Sequence, residues 1–246
     1  MDQTTADICR GFSQLRTAIV GDALREMGFP HQILCSSISG LVRGMQVVGP
    51  AFCIRGETAM GGVAKTPPGT PHPKYEMFHA MYDGCVLVYA TGGYEEAAVW
   101  GDNIHITAKL KGCRGVVADG GIRDAHSIIE AGLSVFGRFI TPASSAPRFH
   151  IRGFEIPVTM PGQTSRHLTV NPGDIILGDF DGIVVIPRRA ASACLESANE
   201  LSRIEAIQSA ELMRGDDRQT VYALRQVRAH RKMGRVRGAG ALHRAS

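Results

Sequence analysis

Gly112-Cys-Arg-Gly-Val-Val-Ala-Asp-Gly-Gly-Ile-Arg-Asp-Ala-His126 is a short apolar run that stops at two glycines and then presents an arginine and an aspartate. The run Val116–Ala118 is too short for a helix and contains β-branched residues, so it predicts a buried strand. The paired glycines permit a tight turn, and residues 124–132 have helix-forming character. Arg123 and Asp124 therefore lie where a strand is followed by a helix, and this order of elements predicts an α/β fold.

The Arg-Asp pair combines two different binding capabilities in adjacent positions. The carboxylate of Asp124 is a hard oxygen ligand of the kind that Mg²⁺ and Mn²⁺ prefer. The planar guanidinium of Arg123 binds a carboxylate or an enolate oxygen through parallel hydrogen bonds. A structural alternative is that Asp124 caps the helix while Arg123 lies on the surface. The pair alone leaves both interpretations open, because short motifs also occur by chance.

The composition is typical of a globular protein without a membrane span. The chain has 246 residues, 44% of them hydrophobic, which is enough for one large domain or for a core domain with appendages. It contains no apolar run of about 18 residues, and its acidic start lacks the basic flank and apolar core of a signal peptide. We therefore expect a cytoplasmic protein. The net charge of +4 is only a weak argument for nucleic-acid binding.

Cysteine usage argues against a structural zinc site. The six cysteines are scattered, without a CxxC pair or a spacing that would gather thiolates onto a metal. Most have apolar neighbours in the sequence, which predicts buried free thiols. They are Cys9, Cys35, Cys53, Cys85, Cys113 and Cys194.

The amino-terminal third begins with helical periodicity. Apolar residues between Thr4 and Met27 predict one helix, or two helices with a break near Arg16 and Thr17. In the second case Thr17 is the expected N-cap. The next predicted segments are a strand over 42–54, a Pro-rich loop over 66–73 and a short helix over 75–81.

An alternation of strands and helices follows, which favours parallel pairing of the strands. Parallel strands would place Arg123 and Asp124 at carboxyl ends, where ligands of open α/β sheets bind. Asp102 follows Gly101, and two interpretations stay open for it: it faces whatever Asp124 holds, or it belongs to an ordinary turn or cap. The elements are a strand over 85–90, a helix over 95–111, a strand over 115–119, a helix over 124–132 and a strand over 133–139.

The carboxy-terminal part contains an acidic trio, Asp174, Asp179 and Asp181. A metal site and hairpin turns are both compatible with it. Hairpin turns are favoured, because Pro-Gly and Asp-Gly flank two apolar strands and the order of an EF-hand loop is absent. The other predicted elements are strands over 155–158 and 167–170, a helix over 190–213 and a basic tail.

With these segments in order, the sequence resembles the RraA-like family. The family includes the regulator of ribonuclease E activity and the class II 4-hydroxy-4-methyl-2-oxoglutarate / 4-carboxy-4-hydroxy-2-oxoadipate aldolases. The similarity covers Thr17 to Gly215, which divides the chain into a catalytic domain, 1–215, and a basic tail, 216–246. The anchors are Gly49-Pro-Ala-Phe52, Trp100-Gly101-Asp102, Gly115 through Asp124, Thr141-Pro142 and Pro172 through Pro187.

The resemblance implies a β/β/α sandwich of the swivelling-domain type, with mixed sheets and flanking helices, assembled as trimers or hexamers. In the aldolase branch the aspartate matched by Asp124 holds Mg²⁺ or Mn²⁺, and the arginine matched by Arg123 binds the keto-acid end of the substrate. Asp102 matches an acidic residue that helps to hold the metal waters. Glu205 resembles a helix glutamate that reaches the site of a neighbouring subunit. The remaining residues expected beside the substrate are Gly101, Asn103 and Ile104.

The implied reaction is cleavage of a 4-hydroxy-2-oxo acid, such as an intermediate of aromatic catabolism, to pyruvate and a second carbonyl compound. Oxaloacetate decarboxylation is the companion activity, and no lysine Schiff base is needed. The sequence departs from the family in its Pro-rich loop, in Asn103 where an aliphatic residue is usual, and in its longer basic tail. The alternative function is that of an RraA-like regulator which binds an RNA-degradation enzyme.

Overall fold

The computed structural model describes residues 1–59, 73–146 and 148–223. The Pro-rich loop predicted over 66–73 lies outside these ranges except for its last residue, and so does most of the basic tail. The chain divides into two compact units, Met1–Leu195 and Glu196–Ser246. The first unit contains every strand and the Arg-Asp pair.

Two helices open the chain, α1 over Gln3–Phe12 and α2 over Thr17–Glu26. The two-helix version of the prediction is therefore confirmed, but the predicted cap is wrong. The N-cap of α2 is Arg16, which makes no side-chain capping bond. Thr17 instead donates from its backbone N (2.9 Å) and its hydroxyl (2.6 Å) to the carboxylate of Asp179. These bonds tie α2 to the strands near the end of the first unit.

Thirteen strands, four more α-helices and a 3₁₀ helix over Arg188–Ala190 follow within the described residues, and residues 218–223 are also helical. The first group is β1 Ser39–Gly40, β2 Val47–Thr58, α3 Pro73–Ala80, β3 Val86–Ala90, β4 Ala98–Trp100, α4 Asp102–Leu110, β5 Gly115–Ala118, β6 Gly121–Ile122 and α5 Ala125–Ala131. The second group is β7 Ser134–Gly137, β8 Phe139–Ile140, β9 Phe149–Phe154, β10 Val158–Pro161, β11 His167–Val170, β12 Ile175–Asp179, β13 Gly182–Ile186 and α6 Ala191–Arg214.

The main sheet has eight strands in the order β1-β7-β5-β3-β2-β12-β13, with β9 also paired to β2. Strands β2, β3, β5 and β7 pair in parallel, whereas β1, β9, β12 and β13 join antiparallel. Every residue of β3 and β5 is buried, which explains their unbroken apolar sequence, since central parallel strands are covered on both faces. The sheet is mixed, as the resemblance implies, rather than purely parallel.

A separate three-stranded parallel sheet, β4-β6-β8, carries the Arg-Asp pair. Its presence corrects the helix predicted over 95–111, because Ala98–Trp100 form β4 and only the later part is α4. All three β4 residues are buried, and Gly101 in extended conformation (φ −150°) ends the strand and begins the helix. The strand predicted over 133–139 divides in the same way into β7, in the main sheet, and β8.

Other element boundaries also differ from the predictions. The strand expected over 42–54 runs from Val47 to Thr58, and α3 begins at Pro73, a residue that is tolerated in a first helical turn. The strand expected over 155–158 is replaced by β9 and β10, with Glu155 between them at a φ of 52°.

The acidic trio forms turns, as favoured from the sequence. Buried Asp174 accepts hydrogen bonds from the backbone N of Asn171 and of Arg188, each at 2.9 Å. Asp179 accepts from the N of Asp181 at 2.9 Å, across the hairpin turn between β12 and β13. All six cysteines are free, and five of them are buried. Among the described residues no helix is long and apolar enough to cross a membrane.

Candidate active site

Asp124 lies between β6 and α5 in the left-handed region, with φ 56° and ψ 34°. This conformation is uncommon outside glycine, costs about 1–3 kcal/mol and is concentrated at functional sites. Asp124 occupies the N-cap position of α5 but makes no side-chain capping bond. Its Oδ2 instead accepts from the backbone N of Asp102 at 3.2 Å and from Nε of Arg123 at 3.1 Å. Asp124 is therefore the N-cap residue of α5 by position, but its side chain contacts α4 and Arg123 instead of capping the helix.

Gly101 makes this close approach possible. A Cβ at position 101 would lie 2.9 Å from Oδ2 of Asp124 and 3.0 Å from Nε of Arg123, too close for either atom to remain in place. The glycine thus lets the amino end of α4 contact the Arg-Asp pair directly.

Arg123 is fixed at its backbone and exposed at its side chain. Its N donates to the carbonyl of Trp100 at 2.9 Å, which joins the end of β6 to the end of β4. Trp100 is almost completely buried, so this junction is anchored in the core. The side chains of Arg123 and Asp124 retain 37% and 33% of their exposure. Both groups are therefore accessible to a ligand while their backbones are held.

Asp102 and Asn103 form the first turn of α4. Oδ1 of Asp102 accepts from the backbone N of Asn103 at 2.6 Å, and the carbonyl of Asn103 accepts from the hydroxyl of Thr107 at 2.9 Å. Asp102 is half-buried and Asn103 is exposed. At the amino end of α4, therefore, the backbone N of Asp102 contacts Asp124, and its carboxylate binds the N of Asn103.

A small cleft of about 140 Å³ opens at this junction. All four residues predicted beside the substrate line it, and so does Asp102, whereas Asp124 does not line it. The lining also includes Lys74 of α3, which the sequence analysis missed. Burial, and secondly the positive charge of Arg123, lower the pKa of Lys74. The predicted lining residues are Gly101, Asp102, Asn103, Ile104 and Arg123.

Glu205 lies on α6 in the second compact unit and is half-buried. The remaining predicted site residues all belong to the first unit. The expected role of Glu205 at a neighbouring subunit's site stays a prediction.

The donor set at the junction fits a hard divalent cation that keeps most of its waters. Both hydrogen bonds of Asp124 fall on Oδ2 in the part of the chain that the structure describes, so Oδ1 is available to a ligand. Within the same residues no group of three or more histidine, cysteine or acidic side chains converges. Mg²⁺ is typically bound through one or two carboxylates with several waters retained. Asp124 and Asp102 match that requirement, and a zinc-type cage is not formed by the described residues.

Asp119 is a second acid of the motif stretch, and its role is structural. It is 2% exposed and accepts from the backbone N of Thr91, while the hydroxyl of Thr91 donates to its carbonyl. Burial raises its pKa. These bonds hold the glycine-rich turn after β3 against β5. The apolar run before Asp119 indicated burial but not this partner.

His105 is a further buried polar residue on α4. Nε1 of Trp100 donates to its Nδ1 at 3.5 Å, and its Nε2 has no hydrogen-bond partner among the described residues. Burial lowers the pKa of His105, with a smaller effect from Lys109. The neutral imidazole therefore packs behind the site rather than adding a charge to it.

A model of the family described as Aldolase/RraA matches residues 17–185, more than half of the chain. The chain belongs to the RraA-like family. The matched range includes the Arg-Asp pair, Gly101 and Asp102, whereas Glu205 lies beyond it. This finding confirms the resemblance that the sequence anchors indicated.

Curated relatives of this RraA-like protein are similar over different shares of their length. MJ0644 of Methanocaldococcus jannaschii is 34% identical over 132 residues, which are 54% of this chain and 61% of the relative. DlpA of Legionella pneumophila is 29% identical over 185 residues, 75% of this chain but 28% of the relative. The chain thus spans less than two thirds of each. A Halalkalibacterium halodurans protein named "Putative 4-hydroxy-4-methyl-2-oxoglutarate aldolase" is 30% identical over 203 residues, 81% of this chain and 86% of the relative.

Solved structures confirm the RraA-type architecture. Streptomyces coelicolor RraAS2, described as an unusual member of the RNase ES inhibitor RraA protein family, superimposes with a TM-score of 0.71 at 25% identity. The superposition covers 83% of this chain and 98% of that one. The mixed sheet with flanking helices is therefore the RraA-family fold.

Proposed function

We propose that this chain is a divalent-metal-dependent carbon–carbon lyase that cleaves a 4-hydroxy-2-oxo acid to pyruvate and a second carbonyl compound. The observation that carries the proposal is the junction in which Oδ2 of Asp124 lies 3.2 Å from the N of Asp102, with Arg123 lining the adjoining cleft. The Halalkalibacterium relative supports 4-hydroxy-4-methyl-2-oxoglutarate as a substrate. We extend the class to 4-carboxy-4-hydroxy-2-oxoadipate, and to oxaloacetate as a decarboxylation substrate.

Arg123 binds the acid end of the substrate. Its guanidinium presents two parallel donors, which suit the carboxylate and the neighbouring 2-oxo group. Because the 2-oxo oxygen gains negative charge as the enolate forms, a donor fixed beside it is more valuable in the transition state than in the ground state. The bond from Nε of Arg123 to Oδ2 of Asp124, at 3.1 Å, orients the guanidinium, while the backbone bond to Trp100 holds the residue in place.

Asp124 and Asp102 would hold the metal ion and its waters, through Oδ1 of Asp124 and the carboxylate of Asp102. When bound, Mg²⁺ or Mn²⁺ supplies positive charge that polarises the 2-oxo group. Oδ2 of Asp124 is already occupied by the two donors described above, so the carboxylate is oriented before any ligand arrives. The strained backbone of Asp124 serves this orientation.

Bond cleavage begins at the C4 hydroxyl. A water held by Asp102 takes the hydroxyl proton, the C3–C4 bond breaks, and C4 leaves as a carbonyl carbon. The bonding electron pair moves to the pyruvate half as its enolate, which Arg123 stabilises, and a proton then adds to C3 to give pyruvate. In oxaloacetate the same electron movement releases CO₂.

A specific observation also favours the regulator function. The chain shares its fold with RraAS2 over 83% of its length, and a regulator can retain the fold without using the cleft. The presence of Asp102, Gly101 and the Arg-Asp pair in one junction favours the enzyme, because binding a protein partner does not require this arrangement.

Assembly and location complete the proposal. We expect a homotrimer or hexamer in which Glu205 reaches a neighbouring subunit's site, with a small-molecule 2-oxo acid as the ligand and a cytoplasmic location. Sedimentation of the active protein tests the assembly. An active monomer at assay concentration would remove Glu205 from the mechanism.

A substrate panel tests the function. Pyruvate release is measured in Mg²⁺ with 4-hydroxy-4-methyl-2-oxoglutarate, 4-carboxy-4-hydroxy-2-oxoadipate and oxaloacetate, and ribonuclease activity is followed in parallel with the protein added. We expect pyruvate from the panel and no effect on ribonuclease. Ribonuclease inhibition without pyruvate release would support the regulator instead.

A further inference from the structure

A second cavity of about 280 Å³ adjoins the cleft. The two share a wall, built mainly by Lys74 of α3, by Val99 and Trp100 of β4, by Ile104 of α4 and by Ser145 after β8. The backbone N of Ser145 donates to Ala98 at 3.2 Å, which fixes this segment across β4. The second cavity, here called the side pocket, therefore lies directly beside the cleft that Arg123 lines.

The part of the side pocket away from the cleft is apolar. Met77 of α3, Tyr89 of β3 and Phe149 of β9 line it, with 1%, 4% and 8% of their surface exposed. The rings of Tyr89 and Phe149 meet edge to face at 6.0 Å between centroids. Ile151 of β9 completes this surface. None of these four residues lines the cleft at Arg123.

The size and the chemistry of the side pocket select an uncharged group. An apolar cavity of about 150 Å³ already binds benzene, so 280 Å³ admits a phenyl or branched alkyl group. A carboxylate there would lose its hydration without a matching donor from the apolar residues. Lys74 and Ser145 lie on the shared wall, next to the cleft. Half-buried His150 adds a further ring to the lining of the side pocket.

We propose that the side pocket binds an apolar substituent on C4 of the 4-hydroxy-2-oxo acid, so that aryl or branched-alkyl substrates are preferred over those with a carboxylate there. This inference rests on the proposed function. With 4-hydroxy-2-oxo-4-phenylbutanoate the C4 hydroxyl loses its proton, the C3–C4 bond breaks, benzaldehyde leaves, and the enolate takes a proton to give pyruvate. No oxidant or reductant is required.

The first experiment compares kcat/KM for this phenyl substrate with kcat/KM for 4-hydroxy-4-methyl-2-oxoglutarate. We expect the ratio to favour the phenyl substrate by about tenfold or more, the scale of discrimination in hydrophobic pockets. Ile151→Phe fills the side pocket without touching the cleft, so the ratio should fall by about the same factor. Ile156→Phe, in the connection between β9 and β10, is the matched control. Ile156 is half-buried and lines neither cavity, so the ratio should be unchanged.

A binding measurement separates this inference from the proposed function. Calorimetry in Mg²⁺ compares 4-phenyl-2-oxobutanoate, which lacks the hydroxyl and is not cleaved, with 2-oxobutanoate. We expect the phenyl compound to bind about tenfold tighter or better, with the gain lost in Ile151→Phe and kept in Ile156→Phe, while thermal melts establish that both variants fold.

The outcomes are distinct. Pyruvate from 4-hydroxy-4-methyl-2-oxoglutarate without any advantage for the phenyl group, in turnover or in binding, would overturn the side-pocket inference and leave the proposed function standing. A phenyl advantage in binding without pyruvate from any substrate would leave the side pocket standing and overturn the function.

Discussion

Replacing Gly101 by alanine tests how closely the amino end of α4 must approach Arg123 and Asp124. The added Cβ would lie 2.9 Å from Oδ2 of Asp124 and 3.0 Å from Nε of Arg123, whereas ordinary contacts begin at 3.4 Å. The pair must therefore retreat by about half an ångström. The backbone at position 101 is extended (φ −150°), a conformation that alanine adopts without strain. The substitution thus moves the Arg-Asp pair and leaves the rest of the fold in place.

The expected effect of Gly101→Ala is on turnover. A misplacement of about 1 Å lowers turnover by about a hundredfold, so the smaller shift here should lower kcat for oxaloacetate decarboxylation by roughly ten- to a hundredfold. The melting temperature should change little. Gly21→Ala on α2 is the matched control, because its Cβ would meet only Ile33, at 3.5 Å. Wild-type kcat in Gly101→Ala would refute the argument that this contact positions the pair.

Two further predictions concern the same site, and a third concerns the structural role of Asp119. Arg123→Ala should lower kcat by about a hundred- to a thousandfold, the effect of removing one oxyanion donor. Arg123→Lys should recover only part of the lost kcat, because lysine lacks the two parallel donors of the guanidinium. A change confined to KM would indicate that Arg123 binds the ground state and the transition state equally well. Borohydride added with pyruvate should leave activity intact, since Lys74 lines the cleft but forms no Schiff base; trapping of Lys74, detected by mass spectrometry, would contradict the class II mechanism. Asp119 has a raised pKa in the folded state, so the folded chain binds more protons than the unfolded chain, and the contribution of Asp119 to the free energy of unfolding falls as pH rises through that pKa. Urea melts over a pH series should show that Asp119→Asn removes this pH-dependent contribution. An identical pH profile for the two proteins would contradict the prediction.

The sequence predicted the parts of the fold that depend on local pattern. The buried strands β3 and β5 are continuous apolar runs, and their burial on both faces follows directly from composition. The bounds of the helices α2 and α5 were predicted to within a few residues, because the helical spacing of apolar residues is also a local pattern. Strand β4 was missed because three apolar residues before a glycine look like the first turn of the helix that follows. Only its pairing with β6, a partner more than twenty residues away, makes it a strand.

The site was predicted in its central part and missed at its edges. Gly101 and Asp102 belong to one family anchor and Arg123 and Asp124 to another, and the structure brings the two anchors together. Lys74 was missed because its segment is separated in sequence from the motif and reaches the cleft only through tertiary packing of α3. The apolar side pocket is likewise formed by residues of several elements, so no local pattern indicated it.

We propose that a divalent cation held by Asp124 and Asp102 is required for carbon–carbon cleavage. The most direct measurement is pyruvate release from 4-hydroxy-4-methyl-2-oxoglutarate by the full chain, after EDTA treatment and dialysis, with and without added Mg²⁺ or Mn²⁺. We predict that the chelated protein is inactive, that either ion restores activity, and that neither ion restores it in Asp124→Asn. Full activity in the chelated, dialysed protein would contradict the account.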